Sequence, residues 1–97
     1  MIENIELYEK DKIALKHLSI DKNTPVNEWM IKGAQRVLDT NPDIDITPIG
    51  DYTTYTMDVP AELKQEIRQF IDVKSVKLRD FWIKVAEIII DEGGLDD

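Results

Sequence analysis

The feature that most restricts the fold of this chain is an internal repeat of 52 residues. When the sequence is shifted by 52 positions, its apolar residues coincide without a gap, although few pairs are identical. Two positions break the pattern, Asp11 opposite Leu63 and Ile20 opposite Asp72. The coinciding pairs are Ile5/Met57, Leu7/Val59, Leu15/Ile67, Leu18/Phe70, Val26/Leu78, Trp29/Phe81, Ile31/Ile83, Ala34/Ala86, Val37/Ile89 and Leu38/Ile90.

The second half has the clearer pattern of secondary structure. Residues 53–59 alternate apolar and polar side chains and are rich in β-formers, which predicts a strand that ends at Pro60. From Ala61 the apolar spacing becomes helical. Residues 74–75 interrupt this helix, Ser75 is predicted to cap a second helix, and Gly93 and Gly94 end it.

The first half repeats this order of elements. It predicts a strand over residues 4–7, a helix from Glu9 to about Asp21 and a turn at residues 22–23. Thr24 is predicted to cap the next helix, with Pro25 at its first position. Asn41 and Pro42 end that helix.

These patterns divide the chain into two units, residues 1–38 and 53–92. Residues 39–52 form a linker with a short extended piece at 43–46, and residues 93–97 form an acidic tail. Each unit is too short to bury a stable core alone, and a lone strand would leave its backbone groups unpaired. We therefore expect a mainly α fold in which the two strands pair as an antiparallel ribbon over one shared core.

A strand that ends near proline, followed by two helices and a short polar turn, resembles the ribbon-helix-helix family. The likeness rests on residues 56–63 and 79–86 in the second half and on residues 23–34 in the first. In this family, which includes the Arc and MetJ repressors, paired strands enter the DNA major groove. The resemblance implies a tandem pseudo-dimer in one chain, like the accessory proteins of bacterial DNA-transfer systems, and two such molecules binding adjacent sites.

The resemblance also implies which residues contact DNA. The strand residues that face away from the core would read bases, because Asn and Thr hydrogen-bond base edges and a carboxylate accepts from cytosine N4. The first turns of the second helix in each half would hold phosphates. The implied base readers are Asn4, Glu6, Thr54, Thr56 and Asp58, with Ile2 on the same face, and the implied phosphate anchors are Thr24, Asn27, Lys74, Ser75, Lys77 and Arg79.

The charge of the chain keeps a second function open. The chain has 97 residues and a net charge of -8, whereas DNA-binding proteins usually carry a basic surface. Members of the family commonly have a basic residue on the ribbon, where this chain has Glu6 and Asp58. The alternative is an acidic protein-interaction module that uses the same scaffold to bind a basic protein partner.

Other functional classes find little support in the sequence. Trp29 and Trp82 lie on apolar stripes and are predicted to be core residues, and no nucleophile or carboxylate accompanies His17, so we expect no enzyme. Residues 39–50 begin like a calcium loop but have Ile44 at the sixth position and Gly50 at the twelfth, so we expect no metal or cofactor. The absence of cysteine, of a signal-like start and of a long apolar run favours the cytoplasm.

Overall fold

The computed structural model describes residues 2–46 and 50–95, in which a strand and two helices occur twice in succession. The predictions for Met1, for residues 47–49 of the linker and for Asp96 and Asp97 lie outside the described residues. The mainly helical class with a two-stranded antiparallel sheet is confirmed. The elements are β1 (Ile2–Tyr8), α1 (Glu9–Lys22), α2 (Val26–Thr40), β2 (Tyr52–Asp58), α3 (Ala61–Lys74) and α4 (Leu78–Asp91).

The two strands pair with each other along their full length within one chain. Their antiparallel register runs from Ile2 opposite Asp58 to Tyr8 opposite Tyr52. Because side chains alternate across a strand, one face of the ribbon is buried and the other lies on the surface. Ile5, Leu7 and Met57 form the buried face, as the alternating pattern predicts.

The predicted helices are present, but the two predicted N-caps are wrong. Ser75 has a φ of 57° and closes the C-terminus of α3, as Asn23, with a φ of 52°, closes α1. Thr24 N–H and Val76 N–H donate to carbonyls of the preceding helix, at 3.1 Å each, in the manner of Schellman turns. As a result α2 and α4 begin later than predicted, after Pro25 and Lys77 rather than after Thr24 and Ser75.

The core lies between the ribbon and the four helices and contains residues from both halves. Its centre is the contact between α2 and α4, where Gly33 faces Val85. A Cβ atom on Gly33 would lie 2.8 Å from Cγ1 of Val85, so the two helices approach closely only because position 33 has no side chain. Trp29 and Trp82 are buried at 1% and 3% exposure, which confirms them as core residues.

The segments after α2 and α4 also pack against this core. The extended piece predicted at 43–46 lies in a segment, residues 41–46, that forms neither helix nor strand, and its Ile44 contacts the core. At the other end Leu95 is buried, so the predicted tail begins as part of the folded unit. Gly94 adopts a φ of 104° and lies against the ring of Trp29. Over residues 2–46 and 50–95, the helices lack the length and apolar character needed to cross a membrane.

Candidate nucleic-acid interface

The outer face of the ribbon presents six exposed side chains, three from each strand. The register places Asn4 opposite Thr56, Glu6 opposite Thr54, and Ile2 opposite Asp58. The Thr56 hydroxyl donates to the Asn4 side-chain oxygen at 3.0 Å. All five predicted base-reading residues are therefore on this one surface, which offers amide and hydroxyl groups at its centre and carboxylates further out.

Arg79 lies against the ribbon, at the end where the strands meet the linker. Its guanidinium is 4.2 Å from the centroid of the Tyr52 ring, and Tyr52 in turn stacks on Tyr8. One terminal nitrogen is 3.5 Å from a Glu6 carboxylate oxygen. Arg79 Nε is buried without a hydrogen-bond partner among the described residues. Arg79 is thus a cation beside the outer face of the ribbon, where it partly neutralises the charge of Glu6. The position of Arg79 in the sequence does not reveal this contact.

Lys74 and Lys77, the other two residues of the predicted basic cluster, have different surroundings. The ammonium of Lys74 is 3.5 Å from the carbonyl oxygen of Asn41 and 3.6 Å from a carboxylate oxygen of Asp43. It therefore contacts the segment that follows α2. Lys77 is exposed at the residue before α4. The predicted basic residues therefore do not share one contact site, and Lys77 is the lysine that lies at the start of α4.

The first turns of α2 and α4 have no side-chain cap among the residues that the structure describes. The leading N–H groups of a helix have no partner within the helix, and they attract anions. The Thr24 hydroxyl donates to the carbonyl of Lys22 at 3.1 Å and makes no cap hydrogen bond to α2. Both turns therefore offer backbone donors that an anion such as phosphate can accept.

Asn27 connects the first turn of α2 to the ribbon. Its side-chain oxygen accepts a hydrogen bond from the Tyr55 hydroxyl on β2. Burial raises the pKa of Tyr55, so the phenol remains protonated and continues to donate at neutral pH. Asn27 is one of the predicted phosphate anchors, and this hydrogen bond holds it beside β2 of the ribbon.

A second surface feature, which the sequence analysis did not identify, is an acidic groove between α1, α4 and the segment after α2. It measures about 470 Å³, has an apolar floor that includes Tyr8, Ile83 and Ile90, and also contains Ile46 and Lys10. Its carboxylates are Asp11, Asp45, Glu87 and Asp91.

One of the two positions that break the repeat lies in the acidic groove. Asp11 occupies the place that Leu63 occupies in the other half, where Leu63 is buried at 5% exposure. Burial raises the pKa of Asp11, Lys10 opposes this shift, and Glu87 adds to it. A carboxylate here therefore lies in a partly desolvated, negative environment.

Over residues 2–46 and 50–95, no group of three or more His, Asp or Glu side chains is arranged to hold a metal ion. His17 is exposed on α1. Comparisons with protein-family models, with curated proteins and with solved structures found no match to this chain.

Proposed function

We propose that the chain is a tandem ribbon-helix-helix pseudo-dimer that binds double-stranded DNA. The register of the ribbon supports the tandem arrangement. Asn4 and Thr56, which are 52 residues apart, lie opposite each other, so the repeat relates the two strands by rotation about the Asn4–Thr56 pair. The helices have the same offset, because α1 begins at residue 9 and α3 at 61, while α2 begins at 26 and α4 at 78.

The observation that carries the functional proposal is the exposed polar face of the ribbon between two uncapped helix starts. A two-stranded ribbon fits the major groove of B-DNA, where each base pair presents a distinct set of donors and acceptors. Asn4, Thr54 and Thr56 supply groups that can donate or accept, while Glu6 and Asp58 accept only. The ribbon would read a short site that is not a palindrome, because its two strands differ in sequence.

In this proposal phosphates are held at the first turns of α2 and α4. The two groups of anchors are Thr24 with Asn27, and Ser75 with Lys77 and Arg79. Lys74 would act only after leaving Asp43. A net charge of -8 weakens the general attraction to DNA, so binding would depend on local contacts. This suits a transcriptional repressor or an accessory factor for plasmid or mobile-element DNA transfer, acting in the cytoplasm.

The proposal is tested by DNA binding of a variant altered at the start of α4. We expect the wild-type chain to bind random-sequence duplex at low salt, with an affinity that falls as salt rises. Lys77→Glu with Arg79→Gln should lower this affinity by about 100-fold, since it removes two cations and adds an anion. Gln at position 79 avoids a second carboxylate beside Glu6. Binding is measured by fluorescence anisotropy, and folding by circular dichroism.

The matched control is Lys10→Glu with Lys84→Gln, which makes the same charge change at the acidic groove, where Lys84 lies 3.5 Å from Glu87. It should change affinity far less. Equal effects of both variants would mean that net charge, and not an anchor at α4, governs binding. If the wild-type chain binds neither random DNA at low salt nor any sequence selected from a random pool, the proposal that it binds DNA is wrong.

The acidic groove favours a second candidate function, the binding of a basic protein partner. Four carboxylates around an apolar floor complement an amphipathic segment that carries Lys or Arg beside apolar residues. An acidic chain of this kind could also occupy the DNA-binding surface of its partner. The acidic groove, which supports this second function, is thus separate from the outer face of the ribbon.

This candidate is tested by Asp11→Leu, which restores the residue type found at position 63. The variant should unfold at higher urea concentration, with a gain of roughly 1 kcal/mol from added apolar burial. Because the pKa of Asp11 is raised, its ionised form disfavours the folded state, and the gain in stability should shrink as the pH falls below that pKa.

Binding of a synthetic Lys/Leu peptide should be lost in the same variant. Unchanged peptide binding would contradict the groove as the site.

A further inference from the structure

Two of the clefts that border the ribbon lie on opposite sides of it. The cleft beside β2 is formed with α1 and the start of α2, and the cleft beside β1 is formed with α3 and the start of α4. The first is lined by Lys12, Leu15, Lys16, Val26 and Tyr55. The second is lined by Glu3, Asn4, Ile5, Val59, Lys64, Ile67, Arg68, Leu78 and Trp82.

The two clefts contain corresponding residues of the repeat. Each of the five residues that line the first cleft has its counterpart, 52 positions away, in the second: Lys12/Lys64, Leu15/Ile67, Lys16/Arg68, Val26/Leu78 and Tyr55/Glu3. The floor is aliphatic in both, and the first helix of each half contributes two cations four residues apart, on one helix face. The same pair of cations beside an aliphatic floor therefore occurs twice, although Glu3 adds a carboxylate to the second cleft where the first has Tyr55.

Contacts to the ribbon show where these cations are. The ammonium of Lys12 donates to the backbone carbonyl of Thr54 at 2.9 Å, so this pair borders the edge of β2. Lys64 forms an ion pair with Glu3, so the other pair borders β1. Lys16 and Arg68, one helical turn further along, are exposed. Each edge of the ribbon thus has a pair of basic side chains beside it. One cation of each pair contacts the strand, and the other, Lys16 or Arg68, is exposed.

We infer that these two basic pairs, on α1 and α3, contact the two sugar–phosphate backbones that border the DNA groove in which the ribbon lies. The inference rests on the proposed function and adds a site to it, separate from the first turns of α2 and α4. Neighbouring strands are about 5 Å apart and the major groove is about 12 Å wide, so a ribbon in the groove has one DNA backbone beside each edge. Lys16 and Arg68 pair with the phosphates, and the aliphatic floor faces the sugars.

The test is the salt dependence of DNA binding by Lys16→Ala with Arg68→Ala. Both side chains are exposed, so the fold should be retained. Loss of two phosphate contacts should reduce the slope of log affinity against log salt by about 2, since each contact contributes about 0.9. The affinity at low salt should fall by roughly 10-fold or more, and equally for random DNA and for a selected site, because phosphates are common to all sequences.

The control is Lys10→Ala with Lys84→Ala, which removes the same charge near the acidic groove and should leave the slope unchanged. Wild-type binding with an unchanged slope in Lys16→Ala/Arg68→Ala would overturn the inference and leave the proposed function standing. A loss confined to the selected site would also overturn it, because that result indicates base contacts. Absence of wild-type binding to any DNA would overturn both proposals.

Discussion

Separate peptides comprising residues 1–46 and 50–97 should each be largely unfolded, and mixing them should restore helical structure. The reason is that β1 pairs only with β2 in the described sheet, and that α2 and α4 pack against each other at the centre of the core. Each peptide has fewer than 50 residues and would expose its half of that core to water. Circular dichroism of each peptide and of the equimolar mixture measures this effect.

The matched control for this experiment is the full chain cleaved within residues 47–49 after folding. Its melting temperature should rise with concentration, whereas that of the intact chain should not, because the linker makes association of the halves intramolecular. A 1–46 peptide that melts cooperatively, at a temperature independent of concentration, would contradict the shared core.

Trp29→Ala should cost about 4 kcal/mol of the free energy of unfolding. Trp29 is only 1% exposed, and the Gly94 backbone lies so close that an added Cβ would be 2.8 Å from the indole ring. Removing a buried indole loses its transfer free energy and leaves a cavity, which together cost 3–5 kcal/mol. Because the total stability of small domains is about 5–15 kcal/mol, the variant should unfold at a markedly lower urea concentration than the wild type. Urea unfolding followed by circular dichroism measures the change.

Trp29→Phe is the matched variant, since Phe81 occupies the corresponding position of the second half and is fully buried. It retains an aromatic ring and should cost roughly half as much as Trp29→Ala. A loss below 1 kcal/mol for Trp29→Ala would mean that the region around Gly94 and Leu95 does not close over the core as described.

Much of the fold could be predicted because it depends on local periodicity. Alternation in the strands identified the buried Ile5, Leu7 and Met57, and helical spacing identified Trp29 and Trp82. The N-caps were wrong because Ser and Thr favour several positions in a short turn. At Ser75 the left-handed conformation that ends α3 prevailed over the extended one that begins a helix.

The candidate site could be predicted only in part, for a different reason. The outward face of the ribbon follows from alternation alone, so Asn4, Thr54 and Thr56 could be found. The contacts of Arg79 with Tyr52 and Glu6 join elements far apart in sequence and leave no local signal. The acidic groove could not be predicted without knowing that α1 lies beside α4. The sequence shows only that Asp11 opposite Leu63 is one of the two positions that break the repeat.

The contact between Gly33 and Val85 has a consequence for which halves can pack against each other. The two residues are 52 positions apart, so they are counterparts in the repeat and also neighbours in space. Two copies of the first half would bring glycine against glycine and leave a void, and two copies of the second would force valine into valine. The close approach of α2 and α4 therefore needs glycine on one helix and valine on the other, and the single chain supplies both because its two halves differ at this position.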